Sequence, residues 1–147
     1  IVQEMSANTP VIWNSNMYHS KEIAEILEGV VDVYLGDFKY GNNECAQKYS
    51  KVKNYLEVVQ PNFEYAYETA EILLRHLVLP GHLECCTRPI ARWVAEQIPQ
   101  IRFNLMFQYR PCYLAMEYPE IGRRLTPEEE SKAIEIVREA GIKDLLI

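Results

Sequence analysis

VVDVYLGDFKY, residues 30–40, is the segment from which the predicted architecture follows. Its apolar, β-branched residues predict a strand over residues 30–36 that is buried on both faces, as in a parallel sheet. The two-residue period of a strand places Asp37 and Lys39 on one face, at the carboxyl end of that strand. Ligands bind at this edge of α/β barrels and open α/β sheets. Asp37 and Lys39 are therefore candidate ligand-binding residues, with a solvated pair of loop charges as the alternative.

The composition limits the classes of protein to which the chain can belong. With 147 residues it can bury one core, which predicts a single domain over residues 1–147. Its 15 basic and 21 acidic residues give a net charge of −6, which argues against a nucleic-acid-binding surface. No apolar run approaches the roughly 20 residues of a membrane span, and no signal-peptide pattern opens the chain, so we expect a cytoplasmic protein without membrane contact. Because the sequence starts at Ile1 rather than at Met, we expect a fragment of a longer protein.

Four cysteines occupy positions 45, 85, 86 and 112. Adjacent cysteines can hardly both ligate one metal ion, and the chain contains no Cys-x-x-Cys pair. The spacing therefore argues against a zinc site and predicts thiols without a metal ion. The sequence assigns no role to Cys45, Cys85, Cys86 or Cys112.

Strand and helix signals alternate along the chain. Strands are predicted over residues 11–13, 30–36, 72–79 and 101–107, and helices over residues 21–28, 43–49, 55–63 and beyond, 88–97 and from 127 onward. Residues 1–7 are predicted to be the end of a further helix. Pro61 should kink or divide its helix, and Thr126-Pro127-Glu128-Glu129 predicts a capping box. Four strand–helix units predict an α/β fold with a mostly parallel sheet, a half or partial TIM-type barrel.

Polar residues collect where the predicted strands end. They are Asn14, Ser15 and Asn16 after the first strand, Asp37 and Lys39 after the second, and Gln108, Tyr109 and Arg110 after the fourth. The carboxyl ends of parallel strands meet at one edge, so these groups should share a rim. Arg75 and His76 interrupt the third strand, and strand periodicity requires one of them to face the barrel interior and the other to face the helices.

Five segments, in this order, resemble the carboxyl-terminal half of a radical S-adenosylmethionine protein of the branch related to pyruvate-formate-lyase-activating enzyme. They are VIWNSNMY (11–18), VDVYLGDFKYG (31–41), LLRHLVLPGH (73–82), NLMFQYRPCY (104–113) and RRLTPEEESKAIEIVREAGI (123–142). The resemblance implies strands three to six of a partial (βα)₆ barrel. The family's Cys-x₃-Cys-x₂-Cys loop, which holds a 4Fe–4S cluster, and its Gly-Gly-Glu segment do not occur in this sequence. We therefore expect S-adenosylmethionine and the cluster to bind the full-length parent, no cofactor to bind this fragment, and no catalytic residue to lie in this chain.

The resemblance also implies roles for individual residues. By position, Asn14, Ser15, Asn16, Asp37 and Lys39 would contact the ribose and methionine ends of S-adenosylmethionine. Asn14 stands where the activating enzymes carry an acid, and Arg110 stands where they carry a histidine. Arg75 either reaches the cofactor or pairs with a structural acid such as Asp32. Gln108 and Arg110 complete the cofactor-binding candidates, and none of these residues is predicted to ligate a metal.

The parent is accordingly expected to cleave S-adenosylmethionine reductively to a 5′-deoxyadenosyl radical, with a glycyl-radical enzyme or another protein as a candidate partner. Two alternatives remain open at the level of sequence, namely a half-barrel that binds a phosphorylated metabolite and a non-catalytic partner-binding module. We also expect the fragment to self-associate, as a two-fold dimer joined near residues 10–16, because an unpaired apolar edge strand is a template for another chain.

Overall fold

The computed structural model describes residues 9–147, so the helix end predicted over residues 1–7 lies outside the described residues. Strands and helices alternate along most of the described chain. They are β1 Ile12–Ser15, α1 Lys21–Leu27, β2 Val33–Asp37, α2 Asn43–Ser50, α3 Tyr55–Thr69, β3 Glu71–Leu77, α4 Arg88–Gln97, β4 Arg102–Met106, α5 Pro127–Glu139 and β5 Asp144–Leu146. A π-helical turn, Leu83–Thr87, precedes α4, and a 3₁₀ turn, Tyr113–Glu117, follows β4.

The five strands form one parallel sheet in the order β1-β2-β3-β4-β5. Right-handed crossovers between neighbouring parallel strands in this sequential order place every connecting helix on the same face of the sheet, as in an α/β barrel. The predicted α/β fold with a partial TIM-type barrel is confirmed. The fifth strand was not predicted, because its three residues are too short to show a strand period.

Burial alternates along the central strands. On the helix side the sheet contributes fully buried residues such as Tyr34, Leu74 and Phe103, whereas their neighbours in β2, β3 and β4 on the other side are only half-buried. The strand predicted over residues 30–36 was expected to be buried on both faces, and this is wrong. Within residues 9–147 the helices cover only one face of the sheet, so β2 is fully buried on that face alone. We call the half-buried side, with Leu35, Asp37, Arg75, Leu77 and Asn104, the open face.

The core lies between the sheet and α3, α4 and α5. Phe38, at the end of β2, stacks on Phe63 of α3 with ring centroids 5.5 Å apart and meets Trp93 of α4 edge-on at the same distance. Gly36 allows α3 to approach β2, since a Cβ there would lie 2.7 Å from the Phe63 ring. The carboxyl end of β2 is thus closely packed against α3 and α4.

Two helix predictions have different outcomes. The capping box is confirmed, because the Thr126 hydroxyl accepts from the Glu129 amide at 3.3 Å and the Glu129 carboxylate accepts from the Thr126 amide at 3.0 Å. Pro61 does not divide its helix, which continues from Tyr55 to Thr69. Packing of Val59 and Phe63 in the core holds the helix together across the hydrogen bond that proline cannot make. Within residues 9–147, no helix combines the length and the apolar character that crossing a membrane requires.

Candidate functional site

A network of polar side chains joins three strands on the open face. Arg75 of β3 lies beside Asp37 of β2 in the strand register. Its Nη2 and Nε lie 2.6 and 2.7 Å from Asp37 Oδ1, and its Nη2 also donates to Asn14 Oδ1 in β1 at 2.7 Å. One guanidinium therefore holds the carboxylate of β2 and the amide of β1 in fixed positions at the carboxyl edge of the sheet.

Asp37 keeps one oxygen available. Both contacts from Arg75 fall on Oδ1, whereas the Lys39 Nζ lies 3.8 Å from Oδ2. The side chains of Arg75 and Asp37 are 22% and 23% exposed, and that of Lys39 is 49% exposed. The site is thus partly desolvated yet reachable from the open face, and Oδ2 and the Lys39 ammonium are the groups that a ligand can approach.

Arg75 does not pair with Asp32, the structural acid predicted as one alternative for it. Asp32, proposed as its structural acid, instead accepts a hydrogen bond from the Val11 amide at 2.7 Å. Asp32 precedes β2, whereas Arg75 lies beside Asp37 at the other end of that strand. The predicted pairing of Arg75 with Asp32 is therefore wrong. The requirement that a partly buried arginine be paired is met by Asp37.

Three contacts fix the backbone behind the site. The Phe38 carbonyl lies 2.9 Å from Nδ1 of His76, the Phe38 amide donates to the Arg75 carbonyl at 2.9 Å, and the Lys39 amide donates to the Tyr55 hydroxyl oxygen at 2.9 Å. His76 is fully buried on the helix side and Arg75 lies on the open face, which confirms that the two neighbours point to opposite sides. The segment between Asp37 and Lys39 is therefore held rigidly from the helix side.

The polar turn after β1 is shaped by its own side chains. Ser15 Oγ accepts from the Met17 amide and Asn16 Oδ1 accepts from the Tyr18 amide, both at 3.0 Å. Met17 has a positive φ of 57° and is fully buried. From α3, the buried Asn62 amide donates to the Met17 and His19 carbonyls at 2.8 and 2.9 Å, which anchors the turn.

Asn16 and Lys39 line the same small cavity, of about 100 Å³, between the β1 turn and α3. The other lining residues are Tyr18, Tyr40, Ser50, Val52 and Tyr55. The structure therefore brings Asn14, Asp37, Lys39 and Arg75 into one network and places Asn16 next to Lys39. Ser15, the last residue of β1, lies between Asn14 and Asn16 in the sequence.

Gln108 and Arg110 lie in the loop after β4, and both are exposed. Gln108 contacts Met106 Sδ at 3.3 Å, and β3 separates its strand from Asp37. Both residues follow a strand at the predicted edge, but the structure does not bring them into the Arg75 network. Asn104, which lies beside Arg75 in the strand register on the open face, occupies that place instead. Its signal in the sequence was a polar residue between the apolar Phe103 and Leu105.

A larger groove, of about 490 Å³, lies at the opposite edge of the sheet among residues such as Glu71, Arg102 and Asp144. Arg102 and Asp144 form an ion pair at 2.9 Å in this groove. Parallel α/β sheets bind ligands at the carboxyl edge, and polar groups at the amino edge stabilise the fold. We therefore assign the candidate site to the network around Asp37.

Comparison with solved structures supports the fold. The chain has the fold of a domain of pyruvate-formate lyase-activating enzyme from Bacteroides vulgatus ATCC 8482, with a TM-score of 0.68 over 88% of this chain and 76% of that domain and 18% sequence identity. The structural resemblance predicted from the sequence is thus confirmed as a shared fold. No family model matches the chain.

One curated relative is considerably longer than this chain. The chain is 50% identical, over 138 residues, to an uncharacterized protein of Methanocaldococcus jannaschii. The match covers 94% of this chain and 40% of the relative. The chain therefore spans about two-fifths of the length of this relative.

Proposed function

We propose that this chain is the carboxyl-terminal part of the barrel of a radical S-adenosylmethionine enzyme and supplies part of the rim that binds S-adenosylmethionine. The observation that carries the proposal is the network of Asn14, Asp37, Lys39 and Arg75 at the carboxyl edge of a parallel sheet. The fold shared with the activating-enzyme domain supports it. The difference in length from the curated relative leaves room for the remainder of such an enzyme.

The functional groups of the network suit the two ends of S-adenosylmethionine. Asp37 Oδ2 can accept hydrogen bonds from ribose hydroxyls, because Arg75 occupies only Oδ1. The Lys39 ammonium provides a positive charge for the methionine carboxylate. Asn14 accepts from Arg75 through Oδ1, so its Nδ2 is left to donate to a ligand.

The residues of this chain do not fit a 4Fe–4S cluster, because such clusters take four cysteine thiolates and no three cysteines here have the family's loop spacing. In the proposed parent the cluster would be held outside this chain, where it would supply the electron for reductive cleavage of S-adenosylmethionine to a 5′-deoxyadenosyl radical. The chain itself binds and orients S-adenosylmethionine. We propose a glycyl-radical enzyme or another protein as the substrate, which would approach the half-buried open face.

Binding of a phosphorylated metabolite has less support. Its best cation would be Arg75, and this guanidinium already contacts Asp37 and Asn14. Arg110 is exposed in a different loop, and Lys39 is the remaining cation of the network. A phosphate group would have to compete with the Asp37 carboxylate for the same donors.

Calorimetric titration of S-adenosylmethionine into the complete protein that contains this chain tests the proposal. Asp37→Asn, which removes one charge without changing size, should weaken binding by roughly 1.5–3 kcal/mol, about ten- to a hundredfold. Asp32→Asn is the matched control at the other end of β2 and should bind as the wild type does. Equal affinities of the two variants, or a coding sequence upstream of Ile1 without three cysteines at the radical S-adenosylmethionine spacing, would refute the proposal.

A further inference from the structure

A second cluster of reactive side chains lies outside the network around Asp37. Cys45 belongs to α2, which follows β2, whereas His82 and Cys85 belong to the loop and π-helical turn that follow β3. One ligand atom from each of Cys45, His82 and Cys85 lies within 4.8 Å of the other two. Cys45 is distant in the sequence from His82 and Cys85, which lie in one segment. The two segments meet because β2 and β3 are neighbours, so both connections leave the same edge of the sheet.

The backbone around the cluster is held in place by two residues. Asn42 caps α2 by accepting from the Cys45 amide at 2.7 Å, and its amide nitrogen donates to the Cys85 carbonyl at 2.7 Å. Gly41 packs directly against the other segment, since a Cβ there would lie 2.5 Å from the Cys86 carbonyl oxygen. The two segments that carry the thiols are therefore fixed relative to each other without any contribution from a metal ion.

The ring of His82 is oriented for coordination through one nitrogen. Its Nδ1 lies 2.7 Å from the Pro80 carbonyl oxygen, and because a carbonyl can only accept, Nδ1 carries a proton. Histidine ligands of metal ions commonly donate their other ring N–H to a carbonyl in this way. Nε2 is thus the nitrogen that offers a lone pair.

Tyr49 occupies Nε2 in this structure but has another partner. Its hydroxyl lies 2.8 Å from His82 Nε2 and 2.8 Å from Glu120 Oε1. The hydroxyl carries one proton and cannot donate to both acceptors at once. If a metal ion takes Nε2, Tyr49 keeps Glu120 as its acceptor, so no polar group loses its last partner.

We propose that Cys45, His82 and Cys85 bind one zinc-like divalent cation, with water as the fourth ligand. Two thiolates and one imidazole are ligands that zinc prefers, and three protein ligands are enough to hold it in tetrahedral geometry. With metal–sulfur distances of about 2.3 Å, the two sulfurs would lie about 3.8 Å apart, which is compatible with ligand atoms that lie within 4.8 Å of one another. The ion joins α2 to the turn that precedes α4, and it is separate from the site proposed for S-adenosylmethionine.

Cys86 and Cys112 provide internal controls. Cys86 is buried next to Cys85 but is not part of the cluster, and Cys112 is an exposed free thiol in a different loop. If the site is built as proposed, neither Cys112→Ser nor Cys86→Ser should change its affinity for the metal ion. Cys45→Ser should lower that affinity. A general affinity of surface thiols for zinc would instead show no such pattern.

The test uses the 147-residue chain, reduced and freed of metal by a chelator. Zinc is titrated in competition with a chromophoric chelator, and circular dichroism confirms the fold of each variant. We expect one zinc per wild-type chain and a loss of at least about a hundredfold in affinity for Cys45→Ser and Cys85→Ser, because even the loss of a group that hydrogen-bonds to a metal ligand costs about ten- to a hundredfold. Affinity in Cys112→Ser should not change.

X-ray absorption of the zinc-loaded wild type keeps the proposal testable if a variant does not fold. We expect two sulfur ligands at about 2.3 Å and nitrogen or oxygen ligands at about 2.0 Å. Less than one-fifth of an equivalent of zinc bound by the reduced wild type would overturn the proposal. So would a set of metal ligands without sulfur, or an equal loss of zinc affinity in Cys45→Ser and Cys112→Ser.

Discussion

Protonation of His76 should make the stability of this chain depend on pH. The ring is fully buried, with Nδ1 2.9 Å from the Phe38 carbonyl and Nε2 3.0 Å from Thr87 Oγ1. Because the carbonyl can only accept, Nδ1 carries the proton and Nε2 accepts from the Thr87 hydroxyl. The neutral ring is therefore satisfied at both nitrogens. Burial lowers the pKa of His76 from 6.5 to about 4.

The size of the effect follows from this pKa. Between pH 6.5 and about 4 the unfolded chain binds more protons than the native chain, so stability falls as the pH falls. The stability that the neutral ring contributes is complete above the unfolded pKa and is lost on passing through the native pKa. The whole window corresponds to about 3 kcal/mol, of which about 2 kcal/mol is lost between about pH 7 and about pH 5.

Urea denaturation of the wild type and of His76→Gln over this range measures the effect. Glutamine can keep one hydrogen bond but cannot titrate, so the variant should be less stable at neutral pH and should lose about 2 kcal/mol less than the wild type on acidification. His19→Gln is the comparison variant, since His19 is only half-buried, whereas His76 is fully buried. A constant difference in unfolding free energy between wild type and His76→Gln at every pH would refute the reasoning.

Three further results are expected. Gly41→Ala should destabilise the chain by roughly 1–3 kcal/mol and weaken zinc binding, because its Cβ would lie 2.6 Å from the Cys86 Cα, and thermal denaturation with and without zinc measures both. Reconstitution with iron and sulfide under anoxia should leave the chain without a 4Fe–4S cluster, and about four iron atoms per chain with a charge-transfer band would contradict this. Light scattering should show a dimer, because within residues 9–147 β1 pairs only with β2, and Ile12 and Trp13 are 60% and 37% exposed. A monomer over a hundredfold concentration range would exclude the dimer.

Local signals in the sequence predicted the elements well. The strand period of residues 30–40 placed Asp37 at a strand end, and the capping box at Thr126 marked the start of α5, because both depend on neighbouring residues only. The exposure of the open face could not be predicted in this way, since burial depends on what covers a strand. The same limit explains Pro61, whose helix is maintained by packing in the core.

Relations between strands were harder to predict than the strands themselves. Arg75 pairs with Asp37 rather than Asp32 because the register of β2 and β3 brings those two residues side by side, and one sequence contains no record of register. The cluster of Cys45, His82 and Cys85 was missed for a similar reason. Motifs for zinc rely on short spacings, whereas these ligands come from two connections that meet only in the folded chain.

The register also explains why Arg75 and His76 should respond differently to substitution. Arg75 holds the Asp37 side chain from the open face, and His76 holds the next carbonyl, that of Phe38, from the helix side. Replacing Arg75 leaves the partly desolvated Asp37 carboxylate without its main partner, so it should change the affinity for a ligand at Oδ2 directly. Replacing His76 leaves every open-face group in place and acts through the backbone between Asp37 and Lys39. Its effect on ligand affinity should therefore follow its effect on stability, whereas that of Arg75 should not.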